Sequence, residues 1–286
     1  MCAIKQVIGG TRKPNCWEVH LNTFMYTYTE MERFTSGPST TVVDRVVDRV
    51  VDSGNLSLLG ATILRRVRWR SRVSGWKREL LRIHDRIAGL FARSEAREGS
   101  LAYLQGLLSH CERKNGWQLA EWMGEPAPYR VQHLLDRARW DADAARDQLR
   151  NYVLEELSSP DAVLIADETG FLKKGEHSVG VKRQRTGTAG RIENSQVGVF
   201  LCYANAKGAA LVDGELYLSE EWAADGERRR VAAVPEKAEF ATKPELARRM
   251  IERASQAGAP CSWVAADEVY GNNNRLRHWL EQRRPG

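Results

Sequence analysis

Several familiar signatures are missing from this sequence, and each absence removes a class of function. There is no G-x-x-x-x-G-K-[ST], no G-x-G-x-x-G and no G-x-S-x-G, so nothing points to P-loop nucleotide hydrolysis, dinucleotide binding or a serine hydrolase. The six histidines are scattered without metal-ligand spacing. The five cysteines are odd in number, far apart and never arranged as C-x-x-C. They support neither a disulfide framework nor a zinc site, and a reducing cytoplasm is the simplest setting. His110 and Cys111 are sequence neighbours, which is not how a Cys–His pair is assembled. Asp167-Glu168-Thr169 lacks the D-x-D spacing of aspartate-nucleophile phosphatases. No apolar run approaches the roughly 18–20 residues that span a bilayer. Asn15, Glu18, His20 and Asn22 interrupt the stretch where a signal peptide needs a compact apolar segment. The expectation is a soluble, unexported, cytoplasmic protein with no membrane partner.

What is present is an apolar fraction of 42%, enough for a true core, and a length of 286 residues, enough for two domains. The formal net charge of +6 and a pI near 9.1 favour a polyanionic partner, of which nucleic acid is the commonest. A merely basic soluble protein fits the same figures.

The chain divides into residues 1–75, 76–157 and 158–286. The first part holds the repeat Val42-Val43-Asp44-Arg45, Val46-Val47-Asp48-Arg49, Val50-Val51-Asp52. A period of four approaches the helical 3.6, yet valine forms helices poorly and the repeat stops at Ser53-Gly54. A translated DNA-level repeat explains it as well, and residues 1–60 are expected to be poorly specified. Arg65-Arg66-Val67-Arg68-Trp69-Arg70-Ser71-Arg72 suits phosphate contact and base stacking, although a solvated charge run is the simpler reading.

The second part reads as helical. Leu80, Ile83, Ile87 and Leu90 share one helix face. Ser100 is the expected N-cap of a run through Leu101, Leu104, Leu107 and Leu108. Trp140 to Leu157 forms another helix, its early acids suited to the dipole, and Ser158-Ser159-Pro160 breaks it. Between these, Gln118 to Gly124, the turn Glu125-Pro126-Ala127-Pro128 and Tyr129 to Leu135 resemble a helix-turn-helix, with Ala120, Val131 and Leu134 inward. Arg130, Gln132, His133, Arg137 and Arg139 would decorate its second helix. An ordinary αα-hairpin fits the same spacing.

The third part changes period. Ala162 to Ala166, Gln196 to Tyr203, Ala209 to Leu218 and Ser262 to Ala266 read as strands, with Asn205 to Gly208 as a hairpin turn. Lys243 to Ala257, with Pro244 early and Gly258 as a stop, and Asn274 to Gln282 read as helices. The order implies an α/β fold with a mixed sheet, a meander followed by a crossover.

Two of these strands end in acidic pairs, Asp167-Glu168 and Asp267-Glu268. Carboxylates at strand ends of an open α/β sheet lie where ligands bind. Close carboxylates repel unless a cation or proton intervenes, and hard divalent ions are held by carboxylates together with substrate phosphate. Two such ions can activate the attacking oxygen and stabilise the leaving oxygen of a phosphodiester. Taken singly, either acid could simply cap a helix or begin a turn. Beside the first pair lies a basic, glycine-rich segment with Lys173, Lys174, Lys182, Arg183, Arg185 and Arg191, suited to a polyanion or equally to a solvated hairpin.

The strings Asp167-Glu168-Thr169-Gly170-Phe171-Leu172-Lys173-Lys174-Gly175, Ser178-Val179-Gly180-Val181, Gly187-Thr188-Ala189-Gly190-Arg191-Ile192-Glu193-Asn194 and Gln196-Val197-Gly198-Val199-Phe200 resemble one group of bacterial insertion-sequence transposases of the DDE superfamily. So do Phe240-Ala241-Thr242-Lys243-Pro244-Glu245-Leu246-Ala247, Asp267-Glu268-Val269-Tyr270-Gly271 and, upstream, Glu112-Arg113-Lys114-Asn115-Gly116-Trp117-Gln118-Leu119-Ala120-Glu121. The resemblance runs from about Trp76 onward and does not include residues 1–75. It implies an RNase H-like mixed sheet with flanking helices, preceded by an all-helical DNA-binding domain. It also implies a DDE acid triad with Mg²⁺ (or Mn²⁺), and cut-and-paste transposition of DNA. The partners would be transposon ends and target DNA, and a homo-oligomer is compatible with this. Asp167 matches the first catalytic, metal-holding acid and Asp267 the second. The expected DNA contacts are Lys173, Lys174, Lys182, Arg183, Arg185 and Arg191 near the acids, and Arg130, Gln132 and Arg137 on the helix pair. The family's third acid, a glutamate, lies far beyond the second aspartate on a later helix. No residue here matches it, and neither Glu268 nor Glu281 substitutes. The expectation is therefore a truncated transposase, inactive alone. The alternatives are a non-catalytic DNA-binding regulator or inhibitor of a full-length transposase, and a remnant that folds badly.

Overall fold

In the computed structural model, residues 76–186 and 190–283 are described. The valine repeat, the Arg65–Arg72 cluster and the rest of the proposed 1–75 extension lie outside the described residues. The helical region begins with a helix over 76–88 (α1), followed by α2 (Ser94–Leu107), α3 (Gly116–Trp122), α4 (Tyr129–Asp136) and α5 (Ala142–Leu157). Ile87, Phe91, Tyr103, Leu104, Leu107, Leu119, Val131 and Leu134 pool into one apolar cluster, as helical periodicity requires. Asp141 caps α5 by accepting a hydrogen bond from the Ala144 N–H at 2.9 Å.

Ser100 is not an N-cap. It sits inside α2, which starts at Ser94, and its hydroxyl donates to the Arg97 carbonyl at 2.6 Å while lying 3.0 Å from the His84 ring. Ala96, Ser100, Tyr103, Leu104 and Leu107 form one continuous buried stripe, so the face that seemed to begin at Leu101 begins a turn earlier.

Ser158 closes α5, and the sheet follows: β1 (Val163–Leu172), β2 (Lys182–Thr186), β3 (Arg191–Asn205), β4 (Gly208–Tyr217) and, after three helices, β5 (Trp263–Ala266). Those helices are α6 (Glu220–Ala224), α7 (Gly226–Val231) and α8 (Lys243–Gln256). After β5 come α9 (Glu268–Gly271) and α10 (Asn274–Glu281). β3 is the axis of the sheet, with β1 and β4 antiparallel along its two edges and β2 antiparallel at its start. β5 runs parallel to β1. The mixed sheet expected from the order of elements is present. The first four residues of β1 read as unbroken apolar sequence because both faces are covered there. Leu164 and Ala166 join Val199, Leu201, Leu246, Met250 and Tyr270, whereas Val163 and Ile165 join Phe200, Cys202 and Leu211.

β1 runs beyond Ala166, where sequence patterning ended it, as far as Leu172. Its backbone pairs with β3 along its whole length, so polar residues are carried in the strand regardless of their type. β2 had no signal of its own. Lys182-Arg183-Gln184-Arg185-Thr186 shows no apolar alternation, and pairing with β3 holds it. Its last residue packs over Gly170: a Cβ there would lie 1.8 Å from the Thr186 hydroxyl. Only glycine permits that approach, which docks the β2–β3 hairpin onto β1 close to Asp167.

α8 packs across β3 and β4, and α5 packs on β4. A capping box fixes the start of α8, Thr242 and Glu245 bonding each other's backbone N–H groups. Where α5, α8 and β4 meet, the fully buried Asp213 lies 2.8 Å from Arg253, 3.4 Å from Arg146 and 3.6 Å from Arg150. Arg253 also reaches Glu215 at 2.5 Å. Burial opposes the charge on Arg253, yet the hydrogen bonds and charges of Asp213 and Glu215 hold its pKa above the ordinary guanidinium value.

Candidate functional site

The site follows from one register. Val163, Leu164, Ile165 and Ala166 pair in parallel with Trp263, Val264, Ala265 and Ala266. The next residue on each strand is an aspartate, so Asp167 and Asp267 emerge side by side where the ladder ends. β1 continues and the β5 segment turns away. Asp267 makes that turn by capping α9, its Oδ1 accepting from the Val269 N–H at 2.9 Å. The Asp167 Oδ1 accepts from the Glu168 N–H at 2.7 Å. Asp167, Glu168 and Asp267 are all half-buried, and each offers a carboxylate oxygen within 4.8 Å of the others.

This arrangement is electrostatically uncomfortable. Burial pushes the Asp167 carboxyl up to about 6, and the negative charges of Glu168 and Asp267 add to the rise. The Glu168 N–H and the Lys243 ammonium act against it. A cation placed among the oxygens would relieve that strain. The donors are all hard carboxylate oxygens with no imidazole or thiolate among them, which suits Mg²⁺ or Mn²⁺.

Three participants were not in the sequence-derived set. Glu168 joins the cluster, whereas its apparent counterpart Glu268 is exposed and accepts a hydrogen bond from the Asn272 amide at 3.2 Å. Lys243, the first residue of α8, donates to the Glu168 Oε1 at 2.6 Å. Tyr270, with 0% of its surface exposed, donates to the Glu168 Oε2 at 2.6 Å. Its hydroxyl is pushed well above the ordinary phenol value by burial, by that hydrogen bond and by the surrounding carboxylates. An aromatic residue three places after an acid in a polar turn was the available signal for Tyr270. Nothing local marked Lys243.

The basic residues are disposed unevenly. Arg183 and Arg185 are exposed and alternate along β2, and Lys174 and Arg191 are exposed nearby. Lys173 is half-buried and its backbone N–H donates to Asn194 at 2.8 Å. Lys182 is held by Glu221 at 2.9 Å, and Arg191 by Glu193 at 2.8 Å. In the helix pair, Ala120, Val131 and Leu134 face inward as expected. Arg130 is engaged by Glu125 at 2.9 Å and Glu98 at 3.5 Å, so its charge is already matched within the fold. Arg137 is exposed at the end of α4, and Gln132 is half-buried. Among the described residues, no helix is long and apolar enough to cross a membrane.

Comparison with known proteins gives two findings. The model of a family described as DDE superfamily endonuclease matches residues 86–284. The chain is also 28% identical, over 170 residues, to a protein of Microchaete diplosiphon described as a probable transposase for insertion sequence element IS701. That stretch is 59% of this chain and 42% of the relative, so the chain spans less than half the relative's length. No solved structure matches.

Proposed function

From the premise that the chain belongs to the DDE superfamily endonuclease family, we propose that it is an insertion-sequence transposase whose sheet is RNase H-like. Asp167 and Asp267 would hold the divalent cation at which DNA strands are cut and joined. The observation that carries this reading is the parallel register of β1 and β5, which sets the two aspartates abreast at the end of their ladder. A bound Mg²⁺ or Mn²⁺ would supply charge neutralisation at the phosphodiester and activation of the attacking oxygen. The chain's own residues do the rest. The aspartates fix the ion's place. Lys174, Arg183 and Arg185 present positive charge to phosphates from a hairpin docked on β1 through Gly170 and Thr186, while Arg191 is paired with Glu193. Arg137 and Gln132 offer a second, weaker contact from the helix pair, while Arg130 serves the fold through its carboxylate partners.

The third acid that the resemblance implies has no match among these residues.

The test uses Mn²⁺ titration by calorimetry and DNA binding across a salt series. Asp167→Asn and Asp267→Asn are expected to abolish Mn²⁺ binding. Arg183→Ala with Arg185→Ala is expected to weaken DNA binding for all sequences and to reduce the salt slope by about two, one for each lost phosphate contact. Unchanged Mn²⁺ affinity in both aspartate variants would sink the reading.

A further inference from the structure

The acid cluster contains one carboxylate to which the proposed function gives no task. Glu168 shares a sheet face with Leu164 and Ala166, the face that packs against α8 and Tyr270. Both of its oxygens are taken: Oε1 by the Lys243 ammonium and Oε2 by the Tyr270 hydroxyl, each at 2.6 Å. These contacts join three separate pieces of chain. Glu168 is the neighbour of Asp167 on β1. Tyr270 lies in α9, the turn that Asp267 caps, and is fixed by complete burial. Lys243 begins α8 behind the Thr242–Glu245 capping box.

The geometry needs such a connection. The ladder between β1 and β5 has four pairs and stops one residue before the aspartates. Beyond it, two carboxylates face each other and repel. Nothing in the ladder resists that force, because β1 and the β5 segment diverge there. The contact from Glu168 to Tyr270 bridges the divergence on its far side. The ammonium of Lys243 also offsets the charge of Glu168, so this carboxylate adds little attraction for a cation.

We propose that Glu168, Lys243 and Tyr270 form a strut that sets the separation of Asp167 and Asp267. They are positioning residues that act through the aspartates, and they are not cation ligands. The inference rests on the reading that the two aspartates hold the cation.

The experiment is Mn²⁺ binding to the full 286-residue chain, by calorimetry and by the electron paramagnetic resonance spectrum of the bound ion. Tyr270→Phe keeps the buried ring and removes one hydroxyl. Glu168→Gln, at a half-buried position, provides the same test if the tyrosine variant does not fold. Each is expected to weaken Mn²⁺ binding about 10-fold, the usual scale for groups that orient ligands. The stoichiometry should hold, and the bound-ion spectrum should broaden as the site loosens. The double variant should be no worse than either single one, since both remove the same strut. Unchanged affinity and spectrum in Tyr270→Phe and Glu168→Gln overturns the strut. A loss in Glu168→Gln that matches Asp267→Asn and far exceeds Tyr270→Phe also overturns it and makes Glu168 a ligand. If Asp167→Asn and Asp267→Asn bind Mn²⁺ normally, it is the underlying reading of the aspartates that fails.

Discussion

The sheet carries two clusters of charge, and they are built on opposite rules. At the end of the β1–β5 ladder, three carboxylates gather and one ammonium, that of Lys243, ion-pairs with one of them, Glu168. On β4, Asp213 and Glu215 meet the guanidinium groups of Arg146, Arg150 and Arg253. The second cluster is the more deeply buried, and it is matched internally, fastening α5 and α8 to the sheet. The first is left with surplus negative charge in a half-buried place. Burial alone therefore does not mark a functional site. A mismatch of charge that the fold tolerates does, because it leaves work for a ligand.

The comparison can be broken or sharpened by perturbing each side. The largest effect is expected at the matched cluster. Asp213→Ala removes the one fully buried carboxylate among the three guanidinium groups, leaving them Glu215 and the more exposed Asp143 and Asp147, and the loss should be about 3–5 kcal/mol in urea unfolding. A loss below about 1 kcal/mol would mean that the arginines find other partners and that the cluster is not a fastening. At the mismatched cluster, a ligand should stabilise. Saturating Mn²⁺, at about 100 times its dissociation constant, should raise the unfolding free energy by about 2.7 kcal/mol. That gain should vanish in Asp267→Asn.

A smaller stabilisation is expected from Asp167→Asn without metal. The folded chain holds the Asp167 proton up to about 6, against 3.8 when unfolded. Its contribution is present below 3.8 and is lost as pH rises through 6. Removing the charge should therefore stabilise the metal-free fold by about 1–2 kcal/mol at about pH 7.5, after discounting for solvent screening, and by almost nothing below about pH 4. Stabilisation that does not vary with pH would show that the charge is not its cause. The smallest effect is expected from Thr242→Ala, which opens the capping box at a cost of about 1 kcal/mol. Lys243 lies at that end of α8 and Arg253 three turns along, so amide exchange should rise near Lys243 and stay unchanged near Arg253.

The sequence revealed these regions unequally. The apolar runs at Ala162–Ala166 and Ser262–Ala266, the Asn205–Gly208 turn and the Pro244-led helix were legible because each has a local cause: a short apolar run, turn chemistry or a fixed φ. Asp167 and Asp267 were legible as acids following strands. Glu168 and Glu268 looked alike in sequence, and only tertiary surroundings separated them: one meets α8 and Tyr270, and the other faces solvent. Lys243, Arg146, Arg150 and Arg253 read as ordinary helix-surface cations. Arg146 and Arg150 have local acids in Asp143 and Asp147, but the contacts to Glu168, Asp213 and Glu215 come from far away in sequence, so no window of residues could show them. β2 was missed for a related reason, since its strand character comes from its neighbour.

The short parallel ladder also sets an order in time. Asp167 is paired with Phe200 of β3, close along the chain, whereas Asp267 comes only after α8. Along the chain, the antiparallel strands and the basic hairpin are therefore complete before the second aspartate is reached. On the reading proposed above, the place for the ion is complete only once β5 lies beside β1.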